Sequence, residues 1–206
     1  MIRPSLSPAV QTAAVFVDRD GTLNEMVFDP VHGTLDSPRR SAQVVAMRHA
    51  GAFLEGLRAL GYKIVVVTNQ PGLSKGTLTN DDLVSVNDRL SQVVQPGAWD
   101  SLRFCPHHPE YGGDCNCRKP KPGMLTETSE TYGIDLGKSW MVGDGLVDIQ
   151  AGKAAGCRTV LVTKLTMNMA ERFFDFTGAE PDFIAADLLA ALDIIRANHR
   201  ASTSCD

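Results

Sequence analysis

The sequence has no long apolar segment. None of its apolar runs approaches the roughly 20 residues that a helix needs to cross a bilayer. The first residues, 1–12, contain one basic side chain, Arg3, but no apolar core of the kind that follows the charged end of a secretory signal. We therefore expect a cytoplasmic protein with no membrane partner.

An excess of charge of either sign is also missing. The chain has 20 Lys and Arg against 24 Asp and Glu, which gives a net charge of −4. The basic residues are scattered along the chain, whereas a protein that binds a polyanion usually concentrates them on one segment or face. We therefore expect no nucleic-acid partner.

Internal repeats and low-complexity segments are absent as well. The 206 residues are enough to bury one continuous core. The segments between the polar motifs described below are each filled by a helix and a strand, so they leave no room for a second folded domain or a large cap. We predict a single domain over 1–206, with its core in 12–200, a loop as any lid, and a monomer as the favoured state.

What the chain does have is a regular alternation of strand and helix patterns. Short apolar runs predict strands, and apolar residues at three- and four-residue spacings predict helices between them. The predicted strands cover residues 13–18, 62–69, 100–105, 139–144 and 159–163. The predicted helices cover residues 46–61, 80–94 and 146–155, with a further helix after 119–123 and a last strand and helix within 181–195. This alternation predicts a Rossmann-like three-layer α/β/α sandwich around a central parallel sheet.

Polar side chains follow three of the predicted strands. Asp18 and Asp20 end the first strand, Thr68 and Asn69 the second, and Asp144 comes at the start of VGDGLVD. Ligands of such sheets bind at the carboxyl ends of the strands, so these side chains are expected to lie together. In an extended chain Asp18 and Asp20 would point to one side and the intervening arginine to the other.

Each of these motifs also has an ordinary structural explanation. DRDG is a common turn signal with solvated acids. Thr68 and Asn69 could cap a helix or form a turn. Asp144 and Asp148 are typical of the first turn of a helix, where the helix dipole favours acidic side chains.

Three of the five cysteines fall in one short stretch, FCPHHPEYGGDCNCRKPKPGM. Cys105, His107, Cys115 and Cys117 form a C-x-H…C-x-C set, which supplies four ligands suited to tetrahedral zinc. Because thiols stay reduced in the cytoplasm, a metal site is favoured over disulfides, and the remaining alternative is an accidental cluster of thiols. We predict a zinc loop at 105–117, with His108 as a solvated loop residue.

Taken together, four motifs resemble the haloacid dehalogenase (HAD) superfamily of phosphatases. They are DRDGT, the Thr of VVVTN, the Lys of CRKPKPG and the Asp of VGDGLVD, and the resemblance spans residues 13–165. It implies hydrolysis of a phosphomonoester through an aspartyl-phosphate. The residues it assigns are Asp18 as nucleophile, Asp20 as acid and base, Thr68 and Lys119 at the phosphoryl group, Asn69, Gln70, Arg118 and Lys119 as substrate contacts, and Asp18, Asp20 and Asp144 as ligands of Mg²⁺.

Within that superfamily, the cysteine insert followed by CRKPKPGM resembles the zinc-bearing heptose bisphosphate phosphatases. Similar loops occur in histidinol-phosphate phosphatases, which are the alternative, and a binding module without activity is the alternative of another class. The resemblance implies a phosphorylated sugar as substrate and a zinc ion that positions Arg118 and Lys119. The chain departs from the heptose group at Gly145, where a lysine is usual, and Lys75, Lys121 or Arg39 would have to compensate.

Overall fold

The computed structural model describes residues 12–30, 33–95, 99–111, 113–166 and 180–203, together with residues 169, 172 and 176. The strands are β1 (Ala14–Val17), β2 (Val27–Asp29), β3 (Thr34–Asp36), β4 (Lys63–Asn69), β5 (Ser101–Cys105), β6 (Trp140–Gly143), β7 (Arg158–Val162) and β8 (Phe183–Ala185). The helices are α1 (Ala50–Ala59), α2 (Asn80–Val94), α3 (Gly123–Tyr132), α4 (Leu146–Ala155) and α5 (Leu188–Thr203). Among these helices, none has both the length and the apolar character that a membrane span requires.

Six strands form one parallel sheet in the order β5-β4-β1-β6-β7-β8. The chain runs outward from β1 in one direction and then returns to build the other half, so β1 and β6 are neighbours at the point where the order reverses. Such a reversal leaves a crevice at the carboxyl ends of the strands. The predicted α/β/α sandwich with a central parallel sheet is therefore confirmed.

Alternate side chains of the central strand β1 point to opposite faces of the sheet, and helices cover both faces. Val15 and Val17 of β1 pack into a cluster with side chains of α1, α2 and α5, whereas Ala14 and Phe16 pack on the opposite face with Leu125 of α3. All four β1 side chains are fully buried. A strand that is covered on both faces reads as a continuous apolar run, which is why these strands could be predicted from the sequence.

Helix boundaries agree with the predictions where capping residues are present. Helix α2 begins after Thr79, whose hydroxyl accepts a hydrogen bond from the Asp82 backbone N–H at 3.1 Å, and it covers the predicted range. Helix α1 is shorter than the predicted 46–61. It begins after His49, which has a left-handed backbone, and Ala46 instead forms a bridge with Asn24.

A small antiparallel hairpin, β2–β3, was not predicted. It lies in the segment between the first motif and α1, where only a loop was expected as a lid. Phe28 and Leu35 pair across it and expose 61% and 64% of their surface. Two short strands with exposed apolar side chains lack the long periodic pattern that identifies a strand in a sequence. In the sequence, TKLTMNMAERFF (163–174) favours a core-facing helix over a substrate or dimer surface. Residues 167, 168, 170, 171, 173 and 174 of this segment lie outside the described residues, so this stays a prediction.

Asp182, which directly precedes the edge strand β8, links this strand to β7. Its carboxylate accepts hydrogen bonds from the Thr159 N–H at 2.8 Å, the Thr159 hydroxyl at 3.0 Å and the Lys153 ammonium at 2.6 Å. Burial alone would raise the pKa of Asp182, but the hydrogen bonds from Lys153 and Thr159 outweigh it and lower that pKa. The ionised form therefore stabilises the folded state.

We expect Asp182→Ala to lower the free energy of unfolding by about 1–3 kcal/mol at pH 7, because the Thr159 N–H loses its partner. Because the pKa is lower in the folded state, the stabilisation is complete above the unfolded pKa and is lost as the pH falls through the folded value. Urea unfolding of both proteins at pH 7 and at a pH about one unit or more below the ordinary Asp value of about 3.9 checks this. The difference in the free energy of unfolding between the wild type and Asp182→Ala should be smaller at the lower pH. An equal difference at both pH values would contradict a role for the charge.

Candidate active site and cysteine cluster

The three motifs at strand ends meet in one pocket. It has a volume of about 190 Å³ and lies at the carboxyl ends of β1, β4 and β6. The backbone N–H of Asp18 donates to the Val142 carbonyl at 2.9 Å, which continues the β1–β6 pairing and fixes the first motif beside the fourth. The pocket is lined by Asp18, Asp20, Met26, Ser37, Thr68, Asn69, Lys119, Asp144, Gly145, Val147 and Asp148.

Lys119 lies at the centre of this pocket and is almost fully buried. Its ammonium is 2.5 Å from Asp18 Oδ1, 2.6 Å from Asp148 Oδ1 and 2.8 Å from the carbonyl oxygen of Val67. Two of these contacts, to Asp18 and to the Val67 carbonyl, are hydrogen bonds, whereas the contact with Asp148 Oδ1 is an ion pair without good hydrogen-bond geometry. Burial alone would lower the pKa of Lys119, but the Asp148 and Asp18 carboxylates outweigh it and raise that pKa, so the side chain is charged.

Three carboxylates surround one position beside Lys119. Asp18, Asp144 and Asp148 each offer an oxygen, and these atoms all lie within 4.8 Å of one another. Asp144 is also held by the Thr22 hydroxyl, which donates to its Oδ1 at 3.1 Å. Burial, together with the neighbouring Asp148, raises the pKa of both Asp18 and Asp144, although Lys119 opposes this at Asp18.

This cluster fits a hard divalent cation. Asp148 Oδ1 is buried and accepts no hydrogen bond of good geometry, and three carboxylates share a single ammonium, so the group carries an excess of negative charge. Carboxylate oxygens are the ligands that Mg²⁺ prefers. Gly21 leaves the space that this arrangement needs, since a Cβ there would lie 2.2 Å from Asp144 Oδ2.

Asp20 points to a different set of partners. Arg19 donates to both of its oxygens, from Nε at 3.0 Å and from an NH2 nitrogen at 2.9 Å. Asn24 donates to Oδ1 at 3.0 Å, and Gln70 and Ser37 donate to Oδ2 at 2.7 and 2.9 Å. Burial alone would raise the pKa of Asp20, but Arg19 outweighs it, and the pKa lies below its ordinary value.

The observed position of Arg19 differs from the predicted one. An extended chain would have pointed it away from both aspartates, but β1 ends at Val17 and the chain turns immediately afterwards. The Arg19 guanidinium is completely buried, and it also donates to Asn87 Oδ1 on α2 at 2.7 Å. Among the described residues, the close carboxylate group of the pocket comprises Asp18, Asp144 and Asp148, and the Asp20 side chain is not part of it.

The residues after β4 bind protein groups in this structure. Asn69 forms a reciprocal pair with the backbone of Lys119, accepting from its N–H at 3.1 Å and donating to its carbonyl at 3.0 Å. The Thr68 hydroxyl lies 3.3 Å from Asp20 Oδ2, and Gln70 donates to that hydroxyl at 2.9 Å. Thr68 and Gln70 therefore belong to the environment of Asp20, and Asn69 fixes the position of Lys119.

The four predicted zinc ligands also come together. Cys105 Sγ lies 3.6 Å from Cys115 Sγ and 3.2 Å from Cys117 Sγ, while His107 Nδ1 lies 3.7 and 3.3 Å from the sulfurs of Cys105 and Cys117. Thiolates bound to one tetrahedral zinc at about 2.3 Å would be roughly 3.8 Å apart. The spacing in the structure is close to this, and the four residues form a group within 4.8 Å. The set therefore fits zinc.

The cysteine cluster is joined directly to the pocket. Cys105 ends β5, and its carbonyl accepts a hydrogen bond from the Gln70 N–H at 2.7 Å. Cys117 comes two residues before Lys119. Arg118 does not line the pocket, since its guanidinium donates to the His107 carbonyl at 3.0 Å and so folds back over the cysteine loop.

The basic side chains considered as substitutes for a lysine at Gly145 lie outside the pocket. Lys121 pairs with Asp114 in the cysteine loop, Arg39 pairs with Asp36 at 2.6 Å, and Lys75 is exposed in the turn after β4. Among the described residues that line the pocket, Lys119 is the one basic side chain.

Two residues of the site, Asp148 and Ser37, could not be identified from the sequence as clearly as the motif residues. Asp148 looked like a residue of a helix first turn, and it does cap α4 by accepting from the Gly145 N–H at 3.1 Å, but it also pairs with Lys119. Its spacing of one helical turn from Asp144 was the available signal. Ser37 gave no signal, because its role depends on the unpredicted hairpin.

Comparison with known proteins gives a consistent answer. A family model described as HAD-hydrolase-like matches residues 116–191. A D-glycero-beta-D-manno-heptose-1,7-bisphosphate 7-phosphatase of Pasteurella multocida (strain Pm70) is 37% identical over 157 residues, which cover 73% of this chain and 81% of that protein. A protein of the same name from Pseudomonas aeruginosa (strain PAO1) is 36% identical over 150 residues, covering 72% and 79%.

A solved structure shows the same likeness in three dimensions. A D,D-heptose 1,7-bisphosphate phosphatase from B. bronchiseptica, crystallised with magnesium and phosphate, superposes with a TM-score of 0.73 and 28% identity. The match covers 91% of this chain and 99% of that one. The predicted HAD-like fold and the resemblance to this group of phosphatases are both confirmed.

Proposed function

This chain belongs to the HAD-like family of D-glycero-D-manno-heptose-1,7-bisphosphate 7-phosphatases, and on that basis we propose that it hydrolyses a phosphomonoester of a sugar. We propose further that it removes the 7-phosphate of D-glycero-D-manno-heptose 1,7-bisphosphate. The observation that carries the proposal is the buried Lys119 ammonium held between Asp18 and Asp148. It places a fixed positive charge beside a carboxylate that can attack phosphorus.

In the first step, an oxygen of Asp18 attacks the phosphorus atom and the bond to the sugar oxygen breaks. The Lys119 ammonium and the Thr68 hydroxyl bind the phosphoryl oxygens and stabilise the negative charge that they carry. Asp20 in its protonated form gives its proton to the departing sugar oxygen, so that a neutral alcohol leaves. The product of this step is a phosphoryl group on Asp18.

In the second step, water attacks the phosphorus of the aspartyl-phosphate. The ionised Asp20 takes a proton from this water, the bond between phosphorus and Asp18 breaks, and inorganic phosphate leaves with both residues ready for the next cycle. Asp20 is held by five neighbouring side chains, and the Arg19 guanidinium lowers its pKa, which favours the ionised form. It is therefore in the form that this second step requires.

Asp18, Asp144 and Asp148 would hold Mg²⁺, whereas the Asp20 side chain, which the sequence predicted as a further ligand, lies outside this cluster. A bound Mg²⁺ supplies positive charge to the phosphoryl group and relieves the repulsion between that group and Asp18. Lys119 alone balances only one of the three clustered carboxylates, which supports the need for a second cation.

The substrate proposal is tested by comparing rates. We would measure kcat/KM with both anomers of heptose 1,7-bisphosphate, histidinol phosphate and simple sugar monophosphates, in the presence of Mg²⁺. The proposal predicts the highest value for one heptose bisphosphate anomer, with loss of the 7-phosphate. A higher value for histidinol phosphate would move the chain to the alternative substrate, and no hydrolysis of any phosphomonoester would favour a binding module.

We also propose that Cys105, His107, Cys115 and Cys117 bind a structural zinc ion. Four protein ligands complete a tetrahedron and leave no open position, which is typical of structural rather than catalytic zinc. Because Cys117 is two residues before Lys119, a metal at this position would hold the chain that carries the central ammonium.

Metal analysis of the purified protein should find about one zinc per chain, and Cys115→Ser should lose it. We expect kcat/KM to fall on the order of a hundredfold in this variant, because a shift of about 1 Å in Lys119 misplaces a phosphate-binding charge. Cys157→Ser, at a buried cysteine outside the cluster, is the matched control and should retain zinc. Full activity in a zinc-free Cys115→Ser protein would contradict the positioning role.

A further inference from the structure

We propose that Ser37 is a positioning residue for the proton-transfer carboxylate of Asp20, and that the β2–β3 hairpin is thereby part of the catalytic apparatus. The inference rests on the proposed function, since it concerns the proton transferred during phosphomonoester hydrolysis. It goes beyond the four sequence motifs, because Ser37 lies in none of them.

Ser37 is held at the point where the hairpin returns to the pocket. It follows β3 directly, and its backbone N–H donates to Asp36 Oδ1 at 2.8 Å. Its hydroxyl donates to Asp20 Oδ2 at 2.9 Å. The same residue lines two adjoining spaces, the pocket that contains Asp18 and a pocket of about 360 Å³ beside the hairpin. A change in the hairpin would therefore reach Asp20 through one hydrogen bond.

The other donors to Asp20 come from the buried interior. Arg19, Asn24, Thr68 and Gln70 are at most 1% exposed, and they lie in the segment after β1 or at the end of β4 and just beyond it. Among the described donors, Ser37 is the one contributed by the hairpin, whose apolar pair faces solvent. It is also only partly buried. Removal of its hydroxyl would thus leave the buried partners of Asp20 in place.

This difference determines the expected effect. Without Ser37, Asp20 keeps its bidentate contact with Arg19 and its hydrogen bond from Gln70, so it stays in the same region of the pocket. Asp20 Oδ2 loses the Ser37 donor, so the orientation of the Asp20 carboxylate is less well defined. Proton transfer depends on such geometry, so we expect a loss of about tenfold to a hundredfold, part of the full contribution of a general acid and base.

The experiment compares Ser37→Ala and Ser37→Thr with the wild type on two substrates. A sugar phosphate has a poor leaving group that needs a proton, whereas 4-nitrophenyl phosphate has a good one that does not. We expect Ser37→Ala to lower kcat/KM, which reports the steps up to departure of the alcohol, by about tenfold or more on the sugar phosphate and by much less on the aryl phosphate. Ser37→Thr keeps the hydroxyl and should recover most of the lost rate. Thr34→Ala removes an exposed hydroxyl from the same hairpin and serves as the control.

A double-mutant cycle separates positioning from direct substrate contact. If Ser37 acts through Asp20, then Ser37→Ala should cost nothing further in an Asp20→Asn background. Equal losses of kcat/KM on both substrates, a rise in KM alone, or full additivity with Asp20→Asn would each overturn the proposal. Failure of the proposed function would look different, because the wild type itself would then hydrolyse neither substrate. Thermal unfolding of each variant identifies any loss that is due to misfolding.

Discussion

Asp18→Asn is expected to lower kcat by on the order of 10⁴-fold or more, because the residue supplies the attacking atom and its function cannot be shared by a neighbour. An amide is a far poorer nucleophile than a carboxylate and a weaker ligand for Mg²⁺. The assay is release of inorganic phosphate with saturating Mg²⁺ and several substrates. Because no step bypasses the aspartyl-phosphate, the loss should be similar for good and poor leaving groups.

The same substitution should leave the fold intact. The amide occupies the same space and can still accept a hydrogen bond from Lys119, and it removes one charge from a buried group of three carboxylates. The thermal unfolding midpoint in metal-free buffer should therefore not fall. Asp193→Asn, at an exposed position on α5, is the matched control for both rate and stability. A purified Asp18→Asn protein with a substantial fraction of the wild-type rate would show that another residue is the nucleophile.

Lys119→Met is expected to damage both activity and stability. Methionine keeps much of the length and volume but removes the ammonium, so Asp18, Asp148 and the Val67 carbonyl all lose their partner. Loss of one member of a buried ion pair typically costs about 3–5 kcal/mol. The loss of a fixed positive charge at the phosphoryl group should lower kcat/KM by at least about 10²–10³-fold.

Urea unfolding at neutral pH in metal-free buffer gives the stability, and steady-state kinetics with Mg²⁺ give the rate. Lys138→Met removes an exposed ammonium that pairs with Asp135 at 3.5 Å, and it should change neither quantity appreciably. A Lys119→Met protein as stable as the wild type would show that the buried carboxylates do not depend on the ammonium. An active one would remove Lys119 from the phosphate-binding site.

The sequence was informative where a structural element has a strong local pattern. Strands β1 and β4 are covered on both faces and therefore appear as continuous apolar runs, and the polar residues that follow them come together at one edge of the sheet. The cysteine and histidine residues could be singled out because few residue types bind zinc, although their spacing alone left an accidental cluster of thiols as the alternative. In these cases the burial of a strand or the chemistry of a ligand set can be recognised from residue types and spacing in the sequence.

Contacts between distant segments were not predictable in the same way. Arg19 was expected to point away from Asp20, but it binds both Asp20 and the distant Asn87. Arg118 was expected to point at the substrate, but it donates to the His107 carbonyl. Asp148 became part of the site only because Lys119 reaches it from another loop. Ser37 depends on a two-stranded hairpin whose exposed side chains carry no burial pattern.

Detection of the covalent intermediate tests the central claim most directly. Asp20→Asn should still accept a phosphoryl group from 4-nitrophenyl phosphate, whose leaving group needs no proton, but it should hydrolyse the aspartyl-phosphate slowly. Acid quenching of this reaction, followed by borohydride reduction and peptide mass spectrometry, would locate the modified residue. We predict that Asp18 is converted to homoserine, the reduction product of an acyl phosphate. Release of nitrophenol by this variant with an unmodified Asp18, or with the phosphoryl group on another residue, would contradict the proposed mechanism.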